Sequence, residues 1–104
     1  MSSIITIEKI IKKIQKDNPS LEEINNYIQK IKAKLNSDFD LIFKISKNIS
    51  IYHDLIKEIG YISSLLTMGL EGLFDYNNII NEIIPHLQNI ARFYQDNNIN
   101  TKLE

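Results

Sequence analysis

Residues 20–35 read Ser-Leu-Glu-Glu-Ile-Asn-Asn-Tyr-Ile-Gln-Lys-Ile-Lys-Ala-Lys-Leu. Leu21, Ile24, Ile28, Ile31 and Leu35 step by three and four, which puts them on one face of an α-helix as a heptad seam. Ser20 and Glu23 have the spacing of a capping box. The serine oxygen accepts from the N–H of Glu23, and the glutamate reaches back to the serine N–H. Asn36-Ser37-Asp38 ends the helix.

The same spacing extends in both directions. Upstream it runs through Ile7, Ile10, Ile11 and Ile14. Downstream it continues through Ile42, Ile45, Ile49, Tyr52, Ile56 and Ile59. A last series holds Ile79, Ile80, Ile83, Ile84, Leu87, Ile90, Ala91 and Tyr94. The pattern predicts an all-α fold, an antiparallel four-helix bundle of one domain over residues 1–96. A frayed polar tail is expected over 97–104.

Helix 1 is expected from Ser3 to Lys16, capped by Thr6 or Ser3 and stopped at Asp17-Asn18-Pro19. Helix 3 starts near Ser37 or Asp38. Unbroken to Met68 it would be about 45 Å long, against about 25–30 Å for its neighbours. A break at Asn48-Ile49-Ser50, with Ser50 as the new cap, removes that mismatch and is preferred to a continuous helix. Gly69 or Gly72 suits a helix C-terminus, and Gly60 a close helix contact or a bend. The last helix is capped by Asp75, and Pro85 should kink it.

Composition narrows the function classes. The 104 residues hold 43% hydrophobic and 24% charged residues, ordinary for a globular domain. Net charge is −1, which implies neither nucleic acid nor an acidic membrane as partner. The charge is uneven, with +3 over residues 1–47 and −4 over 48–104. There is no cysteine, hence no disulfide, thiolate metal site or cysteine nucleophile. No secretory signal or bilayer-length apolar run is visible, so a soluble cytoplasmic protein is expected. Isoleucine, lysine and asparagine dominate, valine and tryptophan are absent, and the A/T-heavy codons this requires suit an AT-rich genome such as that of a low-GC bacterium, its phage or a parasite.

Candidate chemistry is sparse. The histidines are His53 and His86. Glu82 and His86 form an i, i+4 pair that either binds metal or simply hydrogen-bonds. The missing ligand set favours the hydrogen bond. Ser63, Ser64 and Thr67 lie in an apolar helical stretch, where a hydroxyl ordinarily bonds the carbonyl four residues back. No nucleophile elbow, phosphate loop or dinucleotide fingerprint occurs. No enzyme, metal site or cofactor is expected. Lys9, Lys12, Lys13 and Lys16 make helix 1 basic, and a solvated lysine face is favoured over peripheral membrane contact.

The aromatic residues Tyr61, Phe74, Tyr76, Phe93 and Tyr94 gather at the ends of the last two helices. Phe74 and Phe93 are read as plugs of the bundle, and Tyr94 as the better interface residue. The segment Gly72-Leu73-Phe74-Asp75-Tyr76 leads into the last helix, which ends in Ile90-Ala91-Arg92-Phe93-Tyr94 and a polar tail. In length, lack of cysteine and this layout, the chain resembles the class II (pediocin-like) bacteriocin immunity proteins of the enterocin A immunity type. The match is one of pattern, closest over residues 62–94.

That resemblance implies a non-enzymatic, intracellular bundle that protects a bacteriocin producer from its own product. It would act by protein binding at a sugar-transporter receptor in the membrane, with the C-terminal half deciding which bacteriocin is countered. The expected partner-binding residues are Tyr76, Arg92, Tyr94, Asp96, Asn97 and Asn98. Two other readings stand beside it: a small phage-encoded inhibitor of a host protein, and an adaptor subunit whose helix surfaces pair with another protein.

Overall fold

Ile24, Ile28, Ile31 and Leu35 are completely buried, and Leu21 half-buried, in the computed structural model, which describes residues 5–103. They form the inner face of a helix, α2, over Leu21–Ser37. Four other helices occur among the described residues: α1 (Ile7–Asp17), α3 (Phe39–Ser46), α4 (Ile49–Leu70) and α5 (Tyr76–Asp96). The fold is all-α apart from two paired two-residue strands, β1 (Ile5–Thr6) and β2 (Lys102–Leu103). Helix α2 packs on α4, α4 on α5, α1 on α5, and the short α3 on α4. The Cα envelope is 40 × 35 × 18 Å. The buried side chains form one core.

The helix starts follow from side chains that can cap. Thr6 accepts from Lys9 N–H at 3.2 Å and Ser20 from Glu23 N–H at 3.1 Å. Asp75 accepts from Asn78 N–H at 2.9 Å. Helix α1 thus begins at Ile7 rather than Ser3, which lies outside the described residues. The Glu23 carboxylate turns to other donors, the Tyr27 hydroxyl at 3.1 Å and Lys13 Nζ at 3.4 Å.

The expected break in the third helix is present. Lys47 adopts a left-handed conformation (φ 54°) and ends α3. The cap of α4 is Asn48, whose Oδ1 accepts from the backbone N–H of Ser50 at 3.0 Å and from its hydroxyl at 2.6 Å. Ser50 is therefore a donor to the cap and not the cap itself. The break removes Ile45 and Ile49 from the buried seam, and both are exposed. Tyr52 remains half-buried, edge-on to Phe39 with centroids 4.7 Å apart, and donates to Asn36 at 3.0 Å.

The end of α4 is a Schellman motif. Gly72 has φ 80°, its N–H bonds Gly69 O at 3.0 Å, and the Leu73 N–H bonds Met68 O at 2.9 Å. Gly69 marks a close approach of α4 to Ile79 and Leu21, where a Cβ would stand 2.9 Å from Leu21 Cδ1. Gly60 faces open space, so neither a close contact nor crowding explains it. Helix α5 runs on through Pro85, whose ring is exposed and whose missing N–H leaves no break in the helix.

The C-terminal segment corrects the frayed-tail reading. Asn98 is left-handed (φ 55°), its N–H bonds Gln95 O at 3.2 Å, and the Ile99 N–H bonds Tyr94 O at 2.9 Å. This second Schellman motif turns Ile99 back into the core, where it is 7% exposed. Leu103 is 8% exposed and pairs with Ile5, as Lys102 does with Thr6. The Ile7 N–H extends the ladder to Thr101 O at 3.1 Å. Two apolar side chains among polar neighbours are enough to dock this segment, because each stabilises by about 1.5–3 kcal/mol when fully buried.

Candidate protein-binding surface

The α4–α5 hairpin is antiparallel, since partner numbers fall on one helix as they rise on the other. Glu58 pairs with His86, Tyr61 donates to Glu82, and Gly69 meets Ile79. Inward-facing Leu55, Ile59, Ile62 and Leu66 of α4 are buried, as are Ile79, Ile83 and Leu87 of α5. The outward side carries a different chemistry. Tyr61, Met68, Leu70, Leu73 and Phe74 are exposed by 44%, 40%, 48%, 64% and 47%, which makes this end of the molecule apolar to solvent.

A groove of about 340 Å³ lies between the two helices at this end, lined by Tyr61, Leu65, Phe74, Asn78, Ile79 and Glu82. The Tyr61 hydroxyl donates weakly to Glu82 Oε2 at 3.4 Å, and its ring lies 4.7 Å from the His86 ring. His86 pairs through Nδ1 with Glu58 on the facing helix, not with Glu82 on its own. Thr67 Oγ1 donates to Ser63 O at 3.0 Å, the ordinary role of a hydroxyl in a helix. Among the described residues no group of three or more histidine or carboxylate side chains is placed to hold a metal ion. Nor is any of their helices long and apolar enough to cross a membrane.

The chain matches no family model, no curated protein and no solved structure.

The residues expected to bind a partner do not share one surface. Tyr94 is completely buried, and its hydroxyl donates to Asp38 Oδ2 at 2.8 Å, so it is a core residue and not an interface anchor. Lys34 Nζ contacts the same oxygen at 3.1 Å and sits 5.4 Å over the Tyr94 ring. Burial pushes the Tyr94 hydroxyl far above the ordinary tyrosine pKa, and the Asp38 carboxylate pushes it further. Tyr76 is half-buried and donates to Pro19 O at 2.6 Å, tying the start of α5 to the α1–α2 turn. Asn97 is half-buried and bonds Phe93 O at 2.8 Å. Asn98 serves as the left-handed helix end.

Arg92 and Asp96 are exposed. Arg92 reaches Asn89 Oδ1 at 3.4 Å on the α1 side of α5, in a groove shared with Glu8 and Lys12. Burial would raise the Glu8 pKa there, but bonding from Thr101, Gln95, its own N–H and Thr6 outweighs it and holds the carboxylate below its ordinary value. Gln95 Nε2 supplies one of these bonds at 3.1 Å.

Phe74, read from sequence as a plug, stands outside the core with Leu73 beside it. A sequence signal for this surface does exist. Every Lys and Arg of the chain lies at or before residue 57 or at or after residue 92. Within residues 58–91 the only charged side chains, leaving His86 aside, are Glu58, Glu71, Asp75 and Glu82.

Proposed function

We propose that this protein is a non-catalytic bacteriocin immunity protein that works by binding another protein. In this reading the five helices make an antiparallel four-helix bundle, with α3 as the offset first part of the third helix. It acts in the cytoplasm of a bacteriocin producer, at a membrane sugar-transporter receptor occupied by a pediocin-like bacteriocin. The observation that carries the binding part is the exposed apolar end of the α4–α5 hairpin, with Leu73 64% and Phe74 47% exposed beside an open groove. Large contiguous apolar surface on a folded chain marks an interaction site. The immunity setting is supported by the resemblance in length, lack of cysteine and helix layout.

Expression in a strain sensitive to pediocin-like bacteriocins tests the setting. The full chain should raise survival against at least one of them. The Leu73→Ser and Phe74→Ser variants should lose that protection with an unchanged melting temperature, because neither side chain holds the core together. Failure against every bacteriocin of the class would remove the immunity setting and leave the binding surface to its own test.

A further inference from the structure

The α4–α5 end has a charge character that narrows its partner. Four carboxylates and no lysine or arginine fall within residues 58–91, in a chain that holds 12 basic residues elsewhere. One carboxylate, Glu82, lines the groove itself, while Glu71 and Asp75 sit in the turn that carries Leu73 and Phe74. Tyr61 and Phe74 line the groove with Glu82, and both are exposed, as is Leu70 at the end of α4. An occupant must therefore offer an apolar stripe with positive charge on its flanks. An amphipathic helix laid along a groove between two helices presents that arrangement, with anchors at i, i+3, i+4 and i+7 and lysine or arginine beside them.

Other occupants fit less well. A second copy meeting the same surface about a two-fold axis would set Glu71, Asp75 and Glu82 against their own copies. The basic helix of this chain, α1, has its apolar face buried in its own core and cannot supply the stripe. An anionic lipid surface would be repelled by the same acids.

We propose that the groove between α4 and α5 is the docking site for a cationic amphipathic helix of a partner protein. The inference rests on the reading of this end as the binding surface, but it does not require the immunity setting. Apolar contacts at Leu73 and Phe74 hold the complex, and Glu71, Asp75 and Glu82 select and orient the basic helix.

The test uses the full chain and two synthetic helical peptides with the same leucine stripe, one flanked by lysines and one by glutamates. Amide and side-chain shifts in NMR titrations report the site. The lysine peptide should shift Tyr61, Leu65, Leu73, Phe74 and Glu82, and the glutamate peptide should leave them unmoved. Added salt should weaken the binding. Glu82→Lys should weaken it about tenfold, since a like charge at the rim opposes docking, and Phe74→Ser should abolish it. Both side chains are exposed, so the variants should keep the wild-type melting temperature, which circular dichroism checks.

Four results would overturn the proposal: equal binding of both peptides, shifts confined to another face, no shifts at millimolar peptide, or a dimer through this end in sedimentation. Adsorption of the protein to phosphatidylglycerol vesicles through the same residues would also overturn it, in favour of a lipid surface. Because no bacteriocin is present, a negative peptide titration and a negative protection assay report on different claims.

Discussion

Tyr94 is a completely buried side chain whose polar end the core must satisfy. Its place in the series Leu87, Ile90, Ala91, Tyr94 puts it on the inner face of α5. What decides its burial is a partner 56 residues away, the Asp38 carboxylate, which satisfies the phenol inside the core. Such a partner is invisible to local pattern, because Asp38 reads equally well as a helix cap. The structure predicts that Tyr94→Phe, which keeps the ring, lowers stability by about 1–2 kcal/mol, the loss of a hydrogen bond to a charged group that retains Lys34. Denaturant melts at neutral pH measure this. The pH dependence gives a separate check. The folded pKa lies above the ordinary value of 10.0, so the folded state holds the proton more tightly than the unfolded chain. The stabilisation is complete below pH 10 and declines as the pH rises beyond it. Wild type should therefore lose more stability than Tyr94→Phe between pH 9 and pH 11. Parallel slopes would mean that the hydroxyl is not held as described.

Helix boundaries were the most legible features at the scale of elements, and the reason is chemical. Ser20 and Asp75 each carry an oxygen that can reach a free N–H, so sequence alone locates these two starts, whereas Thr6 has a rival cap in Ser3. Asn48 and Ser50 are both cappers, and only the geometry shows which one accepts. The C-terminal ends are less even. Gly72 announces its left-handed turn, and Asn98 does so more quietly, but Lys47 gives no signal at all. Its conformation follows from the packing of α3 on α4 and not from its own preference. Lys47→Gly should consequently raise stability by up to about 1 kcal/mol, by removing the strain of a side chain at φ 54°. Its side chain is exposed, so a change in the denaturant midpoint reports the backbone term directly. Asn98→Gly should be close to neutral for stability, because glycine adopts the same turn freely. In the protection assay it separates a cap from a contact. Full protection by this variant assigns Asn98 to the cap, and lost protection with unchanged stability assigns its side chain to a partner.

The pairing of Ile5–Thr6 with Lys102–Leu103 belongs to the whole molecule, and sequence periodicity could not anticipate it. Ile99 and Leu103 sit among Asn, Thr and Lys, with no helical or alternating spacing to mark them. Their burial depends on Ile5 and Thr6 at the opposite end of the sequence. The Glu8–Gln95 bond at 3.1 Å ties α1 to the last turn of α5 beside this strand pair. Residues 97–103 therefore complete the core as well as offering polar groups to solvent. Cutting the chain after Tyr94 deletes both buried side chains and the strand pairing, at a cost of about 3–6 kcal/mol. For a domain of this size that lowers the melting temperature by on the order of 15 °C or more. Lost protection in the truncated chain would thus reflect an opened core, whether or not the tail touches a partner. The informative comparison is Leu103→Ala, which weakens the latch alone, against Asp96→Ala, which alters only an exposed side chain. Leu103→Ala should lower the melting temperature and leave lysine-peptide binding at the α4–α5 groove intact at low temperature. Asp96→Ala should change neither. The latch should also weaken in acid. Glu8 is held below its ordinary pKa of 4.5, so its contribution is complete above that value and is lost as the pH falls through the lower folded one. Amide exchange at Ile7 and Leu103 should then accelerate ahead of the core of α2. Exchange that rises uniformly across the molecule would show that the ends have no separate stability and open only with the bundle.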